Sequence, residues 1–298
     1  MELQQLRYVA AVAREKHFGR AAERVHITQP TLSQQIIKLE KELGAALFER
    51  SPRGVVLTAE GEKFLSTATA VLEILENSVR ELKEKGDDIT GRIRLAVIPT
   101  LGPYLLPPVL QHVRKKAPRL TLELFDMTTS LLLENLKQNR IDMGILALPI
   151  EEPGIVALSI GKEPFYLAVP QKHPLASRKS VDLAQVRRER LLILQEGHCF
   201  RNQALAYCGL SAEDDQIIFQ GSSLTSVMRL AAAGEGVTFV PRIAARAREH
   251  PGLRFIRFSG PEPIRELGVV WRVTTPLSTA NRFLIDVIES TFSRGSYR

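Results

Sequence analysis

The sequence has few of the residues that define small disulfide scaffolds, metal sites or membrane spans. It contains two cysteines, six histidines and one tryptophan in 298 residues. Two thiols cannot supply the four ligands of an iron–sulfur cluster, and no Cys-x-x-Cys or His-x-His motif indicates a zinc site. No run approaches the roughly 18 apolar residues of a transmembrane helix, and the first residues do not read as a signal peptide. We therefore expect a cytoplasmic protein with reduced thiols, no metal or other cofactor and no membrane partner.

The composition is that of an ordinary globular protein with a basic balance. Hydrophobic residues make up 44% of the chain, charged residues 24%, and the formal net charge is +7. A chain of 298 residues favours two domains over one. A basic protein often binds nucleic acid, but residues 1–58 contribute only nine Lys and Arg against six Asp and Glu. The net charge alone therefore does not locate a DNA-binding surface.

Residues 1–58 are predicted to form a winged helix-turn-helix. Two short amphipathic segments precede a third helix of residues 29–43, which Thr28 caps and Gly44 ends. The outer face of that helix is polar but barely charged, which suits contacts to bases and phosphates. A basic turn and a short strand then resemble a wing, although a plain helical bundle stays open on periodicity alone. The predicted DNA contacts are Gln29, Pro30, Thr31, Ser33, Gln34, Lys38, Arg50 and Arg53.

Residues 59–90 are predicted to be a long linker helix followed by a hinge. Thr58 caps the helix, and its apolar residues keep a nearly heptad spacing. At 1.5 Å per residue the helix is roughly 35–40 Å long, too long to bury that stripe by itself. We expect a partner helix from a second subunit, with packing on its own domain as the alternative. The predicted dimerisation residues are Phe64, Val71, Leu75 and Leu82.

Beyond residue 90, strands and helices alternate, which is typical of an open α/β sheet. Residues 91–298 are predicted to be a regulatory domain of two α/β lobes with an effector cleft between them. Lobe I comprises residues 91–162 and 268–298, and lobe II comprises residues 163–267. The whole chain is thus a multidomain α+β protein.

Several motifs of the chain resemble LysR-type transcriptional regulators. Phe18-Gly19-Arg20-Ala21-Ala22, Ile27-Thr28-Gln29-Pro30-Thr31-Leu32-Ser33 and Leu57-Thr58-Ala59-Glu60-Gly61 look like the DNA-binding end of that family. The family continues with a linker helix and a two-lobed domain like periplasmic binding proteins, so the resemblance covers essentially the whole chain. Residues 98–107 and 197–204, with Cys208, are similar to the OxyR hydrogen peroxide sensors within the family.

The resemblance implies a redox switch. Cys199 matches a peroxidatic cysteine and Cys208 a resolving cysteine, while Asn202 and Gly209 depart from the family pattern. It also implies a homotetramer, a dimer of dimers, that binds promoter DNA, works with RNA polymerase and mainly activates antioxidant defence genes in response to hydrogen peroxide. The implied peroxide pocket consists of Thr100, Thr129, His198, Arg201 and Arg265.

The spacing of the two cysteines is compatible with such a switch on physical grounds. An apolar-periodic run follows Gly197-His198-Cys199, so we expect Cys199 in the first turn of a helix, where the helix dipole and Arg201 favour a thiolate. Nine residues of helix separate the Cα atoms of Cys199 and Cys208 by about 13 Å, whereas a disulfide needs about 4.4–6.8 Å. Bond formation therefore requires the helix to unwind.

Two other functions stay open from the sequence alone. A regulator of the same architecture could bind a small metabolite in the cleft, with two incidental thiols packed as small hydrophobes. A thiol peroxidase would use the cysteines catalytically, but the helix-turn-helix has no place in that function. We expect a regulator rather than an enzyme, and we read the run Arg187-Arg188-Glu189-Arg190 as a solvated, charged helix end.

Overall fold

The computed structural model describes residues 1–51, 54–83, 89–197, 199–211, 213–246, 250–260 and 262–294. The chain divides into two compact units, Met1–Asp87 and Asp88–Arg298. Of the helices in the described part, none is long and apolar enough to cross a membrane.

The first unit combines helices with a two-stranded antiparallel sheet. Buried apolar side chains of the first three helices form its core, joined by Leu47 from the loop that leads into the sheet. Its elements are α1 (Leu3–Glu15), α2 (Phe18–Arg24), α3 (Gln29–Leu43), β1 (Phe48–Ser51), β2 (Gly54–Leu57) and α4 (Ala59–Lys83).

Helix α3 has the bounds that the sequence predicts. The Thr28 side chain accepts a hydrogen bond from the Thr31 N–H, Pro30 lies in the first turn, and Gly44 ends the helix at φ +68°. The Thr58 hydroxyl likewise accepts from the Gly61 N–H at 2.8 Å and starts α4. These short-range signals account for both helix starts. The predicted hinge at residues 86–88 lies outside the described residues.

The second unit is a mixed α/β structure. Its strands are β3 (Gly91–Val97), β4 (Leu120–Asp126), β5 (Met143–Leu148), β6 (Ile155–Pro170), β7 (Ser180–Val181), β8 (Leu191–Leu194), β9 (Ile217–Gly221), β10 (Thr238–Pro241), β11 (Leu253–Phe258) and β12 (Ile264–Arg272). Its helices are α5 (Gly102–Lys116), α6 (Thr129–Lys137), α7 (Leu183–Val186), α8 (Cys199–Cys208), α9 (Leu224–Ala233), α10 (Arg242–Ala245) and α11 (Thr279–Arg294), with a 3-10 turn at Pro174–Ser177.

Strand β6 organises the sheet of this unit. The strand order is β4-β3-β5-β12-β6-β11-β7, with β10 also paired to β6, and β8 and β9 form a separate parallel pair. The first half of β6 pairs with β12, and its second half pairs with β10 and β11. The β6–β12 register shifts between Leu267 and Gly268, opposite Gly161 at φ +135°. The two crossing strands thus link both halves of the unit.

Candidate redox site and DNA-binding surface

Helix α8 carries both cysteines, one at each end. It begins at Cys199, so that Cys199 lies in the first turn as the sequence predicts, and it ends at Cys208. Gly197 precedes it at φ +92°, and Gly209 follows it at φ +58°, where the Gly209 N–H donates to the Ala206 carbonyl at 3.1 Å. Both glycines adopt left-handed backbone angles that favour a residue without Cβ. One continuous helix therefore separates Cys199 from Cys208, as assumed for the predicted distance between their Cα atoms.

Cys208 is a free, fully buried thiol. Burial raises its pKa to about 11, while the positive charge of Arg187 acts in the opposite direction. At neutral pH the thiol is therefore protonated and a poor nucleophile. The side chain of Cys199 and the whole of His198 lie outside the described part of the chain.

Aromatic contacts attach α8 to the central sheet. The rings of Phe200 and Phe165 meet edge to face with centroids 5.1 Å apart, and Tyr207 contacts Phe165 at 6.3 Å. The Tyr207 hydroxyl donates to the Ile264 carbonyl at 2.8 Å and accepts from the Ile264 N–H at 3.2 Å. The helix is therefore held near each end by β6 and β12, so any unwinding of α8 must disturb these contacts.

A buried ionic network lies under this aromatic contact. Arg265 donates from Nε to Glu163 Oε1 at 2.7 Å and from Nη1 to Thr100 Oγ1 at 2.8 Å. The other Glu163 oxygen accepts from the Ile243 N–H at 3.1 Å, and both charged side chains are fully buried. The Arg265 guanidinium carbon is 6.0 Å from the centre of the Phe165 ring. The structure thus brings Thr100 and Arg265 together, and it adds Glu163, which the sequence analysis missed.

Other predicted pocket residues carry buried polar atoms without partners. Thr129 Oγ1 and Arg201 Nε make no hydrogen bond within the described residues, and neither does Gln203 Oε1. Each such atom costs about 1–3 kcal/mol unless a ligand or water satisfies it. Thr129 starts α6, and a Cβ placed on Gly197 would lie 3.7 Å from Thr128 Cβ. The start of α6 therefore lies beside the segment that enters α8.

The predicted DNA-contacting residues of α3 form an exposed polar face. Gln29, Pro30, Thr31, Gln34 and Lys38 are exposed, and Ser33 is partly exposed. The hydroxyls of Thr31 and Thr28 lie 2.8 Å apart, and Lys38 has only a surface contact to Glu2 at 3.9 Å. Arg50 lies on β1, but its side chain and the whole of Arg53 are outside the described residues.

The predicted dimerisation residues of α4 occupy different environments. Phe64 is half-buried and packs on the core of its own unit. Val71 and Leu75 expose 40% and 37% of their surface, and Val79 exposes 41%. Exposed apolar residues four apart form a stripe that is costly in water. The side chain of Leu82 is outside the described part.

No group of three or more His, Cys, Asp or Glu side chains in the described ranges is arranged to hold a metal ion.

Comparison with known protein families assigns both parts of the chain. Residues 3–62 match the bacterial regulatory helix-turn-helix protein of the lysR family. Residues 86–293 match the LysR substrate binding domain. The chain belongs to the LysR family of bacterial regulators, which confirms the predicted family and fold class.

Similar proteins within that family include hydrogen peroxide-inducible genes activators and OxyR proteins. A hydrogen peroxide-inducible genes activator of Pectobacterium carotovorum is 36% identical over 97% of this chain and 96% of its own length. The full-length OxyR of Pseudomonas aeruginosa, with a cysteine replaced by aspartate, has a TM-score of 0.79 and 35% identity, covering 98% of this chain and 97% of that one. A cysteine-to-serine mutant of Corynebacterium glutamicum OxyR with hydrogen peroxide bound has a TM-score of 0.66 and 34% identity, covering 98% and 94%.

Proposed function

We propose that this protein is a hydrogen peroxide-sensing LysR-type transcription factor that changes conformation through a Cys199–Cys208 disulfide. The observation that carries this proposal is helix α8, which separates the two cysteines along its length and packs over a buried polar network. The peroxide-responsive relatives described above support it.

The proposed chemistry has two steps. The Cys199 thiolate attacks one oxygen of hydrogen peroxide, so that an S–O bond forms, the O–O bond breaks and hydroxide leaves as water after taking a proton. The Cys208 thiolate then attacks the sulfur of the Cys199 sulfenic acid. An S–S bond forms, the S–O bond breaks, and the hydroxide leaves as a second water.

The environment of Cys208 sets the order of these steps. Its raised pKa of about 11 keeps it protonated while α8 is intact, so it does not compete with Cys199 for peroxide. The about 13 Å between the ends of α8 exceeds the reach of a disulfide. Sulfenic acid formation therefore precedes unwinding, and the disulfide fixes the rearranged segment with a constraint of about 2.5–3 kcal/mol.

The proposed peroxide pocket consists of Thr100, Thr129, His198, Arg201 and Arg265. Glu163 orients Arg265 toward Thr100, whose hydroxyl proton has no acceptor among the described residues. Peroxide is both a donor and an acceptor, so it complements the unpaired Thr129 Oγ1 and Arg201 Nε. These atoms therefore favour binding of a small polar oxidant over binding of an apolar metabolite.

The remaining parts deliver the response to DNA. In the proposed scheme residues 1–58 are the winged helix-turn-helix, and α3 places Gln29, Thr31, Ser33 and Gln34 in the major groove, with Lys38, Arg50 and Arg53 on phosphates. A partner α4 covers Val71 and Leu75, and two dimers form a tetramer. Oxidation moves lobe I (residues 91–162 and 268–298) against lobe II (163–267). The protein then activates antioxidant genes with RNA polymerase in the cytoplasm, without acting as an enzyme.

Peroxide-dependent transcription in vitro tests the sensing function. We expect the wild type to change its promoter activity after near-stoichiometric peroxide, while Cys199→Ser keeps DNA binding and loses the response. A Cys199→Ser variant that responds like the wild type contradicts the proposal and favours a metabolite in the cleft. Sustained peroxide consumption with a thiol reductant, beyond one oxidation per subunit, favours a thiol peroxidase.

Neighbouring glutamines of α3 test the DNA-reading face. Gln34 is exposed, whereas Gln35 is half-buried and accepts a hydrogen bond from Gln5 Nε2 at 3.3 Å. We expect Gln34→Ala to weaken specific promoter binding by about 1–3 kcal/mol without changing the free energy of unfolding. Gln35→Ala is the matched control and leaves specificity unchanged. Equal promoter affinities for Gln34→Ala and the wild type contradict a base-reading role.

A further inference from the structure

Arg187 contacts the residue that follows Cys208. It caps the C-terminal end of α7, and its guanidinium lies against Gly209. A Cβ on Gly209 would lie 2.6 Å from Arg187 Nη2 and 3.2 Å from Arg187 Cζ. The positive φ of Gly209 favours glycine at this position, and an added Cβ would have to displace the end of the flexible Arg187 side chain. The guanidinium thus occupies the space that a side chain at position 209 would fill.

The remaining surroundings of Cys208 supply little charge. Strand β8, which lies next to α8, consists of leucine and isoleucine residues. The Tyr207 hydroxyl is engaged with the Ile264 backbone, and Glu163 and Arg265 are engaged with each other. Among the described residues, Arg187 is the charged group that lowers the pKa of Cys208 against the effect of burial. A cation beside a thiol favours the charged, nucleophilic form.

We propose that Arg187 is a positioning residue for the resolving cysteine: it holds a positive charge at the Cys208–Gly209 junction and promotes the thiolate that attacks oxidised Cys199. This inference rests on the proposed redox function. Because Arg187 contacts the residue after Cys208, its charge acts at the end of α8 that must leave its place for the disulfide to form. The Cys208 proton leaves to solvent, and the hydroxide released from Cys199 takes up a proton as water.

Alkylation of Cys208 in a Cys199→Ser background tests the charge effect without any peroxide chemistry. Iodoacetamide labelling is followed from pH 7 to 11 in the full chain, alone and with Arg187→Gln, Arg187→Lys or Arg188→Gln. Arg188 follows Arg187 directly, carries the same charge and is exposed like Arg187, so it serves as the control. We expect Arg187→Gln to slow labelling about three- to tenfold near pH 8, because loss of the positive charge raises the pKa of Cys208 further.

The shape of the pH profile separates a charge effect from a mechanical one. In Arg187→Gln the labelling curve should move to higher pH: the rate is lower by the same factor at pH values well below the pKa of Cys208, and the difference begins to narrow as the pH approaches 11, while Arg187→Lys restores most of the rate. A profile that superimposes on that of Arg188→Gln overturns the inference. A retardation that does not begin to narrow by pH 11, or an acceleration, also overturns it, because the guanidinium would then act only through packing.

A peroxide pulse on the chain with both cysteines completes the test. Quenched samples are analysed for the dimedone adduct of Cys199 and for the Cys199–Cys208 disulfide. In Arg187→Gln we expect Cys199 oxidation at the wild-type rate and disulfide formation slowed about three- to tenfold. If the wild type never oxidises Cys199, the proposed function fails, whereas the alkylation profile still decides the charge effect. If the wild type and Arg187→Gln form the disulfide equally fast, only the inference about Arg187 fails.

Discussion

Helices α3 and α8 both end at a glycine with a left-handed backbone, Gly44 at φ +68° and Gly209 at φ +58°. A Cβ on Gly44 would meet no atom within 4 Å, whereas one on Gly209 would meet the Arg187 guanidinium. Helix α3 buries the apolar Leu32, Ile36 and Leu39 and exposes its polar side chains. Helix α8 buries the Cys208 thiol together with unpaired polar atoms of Arg201 and Gln203.

The two helices differ in how well their polar side chains are satisfied in the folded conformation. The polar side chains of α3 that we assign to DNA are exposed or partly exposed in the free protein, so DNA binding does not require this helix to rearrange. Helix α8 is held by two aromatic contacts, but some of its buried polar groups have no partner among the described residues, which lowers the cost of rearranging it. In the proposed switch, the same local end signal therefore closes one helix that persists and one helix that unwinds.

We expect the largest effect from a variant that breaks the buried Glu163–Arg265 ion pair beneath α8. Glu163→Gln leaves the guanidinium of Arg265 buried without its counter-charge, and we expect a loss of about 3–5 kcal/mol in the free energy of unfolding. Chemical denaturation of the reduced protein measures it. The control is Glu266→Gln, since Glu266 has only partly exposed contacts to Ser159 and Lys162 and should change stability by less than about 1 kcal/mol. Equal losses for the two variants contradict the role given to the network.

The next effect is a dependence of stability on pH. Burial raises the pKa of Cys208 in the folded protein to about 11 from a usual 9.0. The protonated thiol therefore contributes fully to the free energy of unfolding below pH 9, and this contribution is lost as the pH rises toward 11. The reduced wild type should lose up to about 1.4 kcal/mol per pH unit in this window relative to Cys208→Ala. Urea denaturation at several pH values measures the difference. Parallel curves for the two proteins would contradict a buried, protonated thiol.

Alanine substitutions at Gly44 and Gly209 compare the ends of α3 and α8 by their cost in the free energy of unfolding. Gly44→Ala meets only the strain of a left-handed backbone and should cost about 1 kcal/mol, whereas Gly209→Ala also displaces the flexible end of Arg187 and should cost slightly more. Thermal or chemical denaturation measures both. In an Arg187→Ala background the cost of Gly209→Ala should fall to that of Gly44→Ala. An unchanged cost in that background would show that Arg187 does not press on position 209.

The smallest expected effect concerns the start of α3. Thr28→Ala removes the side chain that accepts from the Thr31 N–H, and we expect a loss of about 0.5–1 kcal/mol. Thr28→Ser keeps the acceptor and should stay within a few tenths of a kcal/mol of the wild type. Denaturation of both variants decides the matter, and identical stabilities for Thr28→Ala and Thr28→Ser would mean that the cap contributes nothing.

The parts of the fold that rest on neighbouring residues are predictable from the sequence. Thr28, Pro30 and Gly44 specify α3 to the residue, and the start of α8 at Cys199 follows from the apolar run behind it. Strand β6 is different, because the apolar run at residues 165–169 predicts only its second half, whereas the strand begins at Ile155. Its first half is largely exposed and contains a glycine, so pairing with β12 rather than local preference extends it.

The same distinction applies to the site. The family resemblance supplied Thr100 and Arg265, which the structure brings into contact, but Glu163 stands between Lys162 and Pro164 and reads as a surface residue. Its burial depends on partners about a hundred residues away, which no local pattern reveals. Arg187 is exposed, as the sequence predicts for this charged run, but its contact with Gly209 depends on the packing of α7 on α8, which the local sequence does not reveal. The local sequence therefore does not reveal the contacts that charged side chains make with distant parts of the chain.

The most direct test of the account is mass spectrometry of alkylated thiols after the reduced protein is treated with near-stoichiometric hydrogen peroxide. The account predicts rapid loss of both alkylatable thiols and a peptide pair joined by a Cys199–Cys208 disulfide, which is two hydrogen masses lighter than the reduced pair. If both thiols stay alkylatable in excess peroxide, the two ends of α8 do not form a redox switch, and the central claim is contradicted.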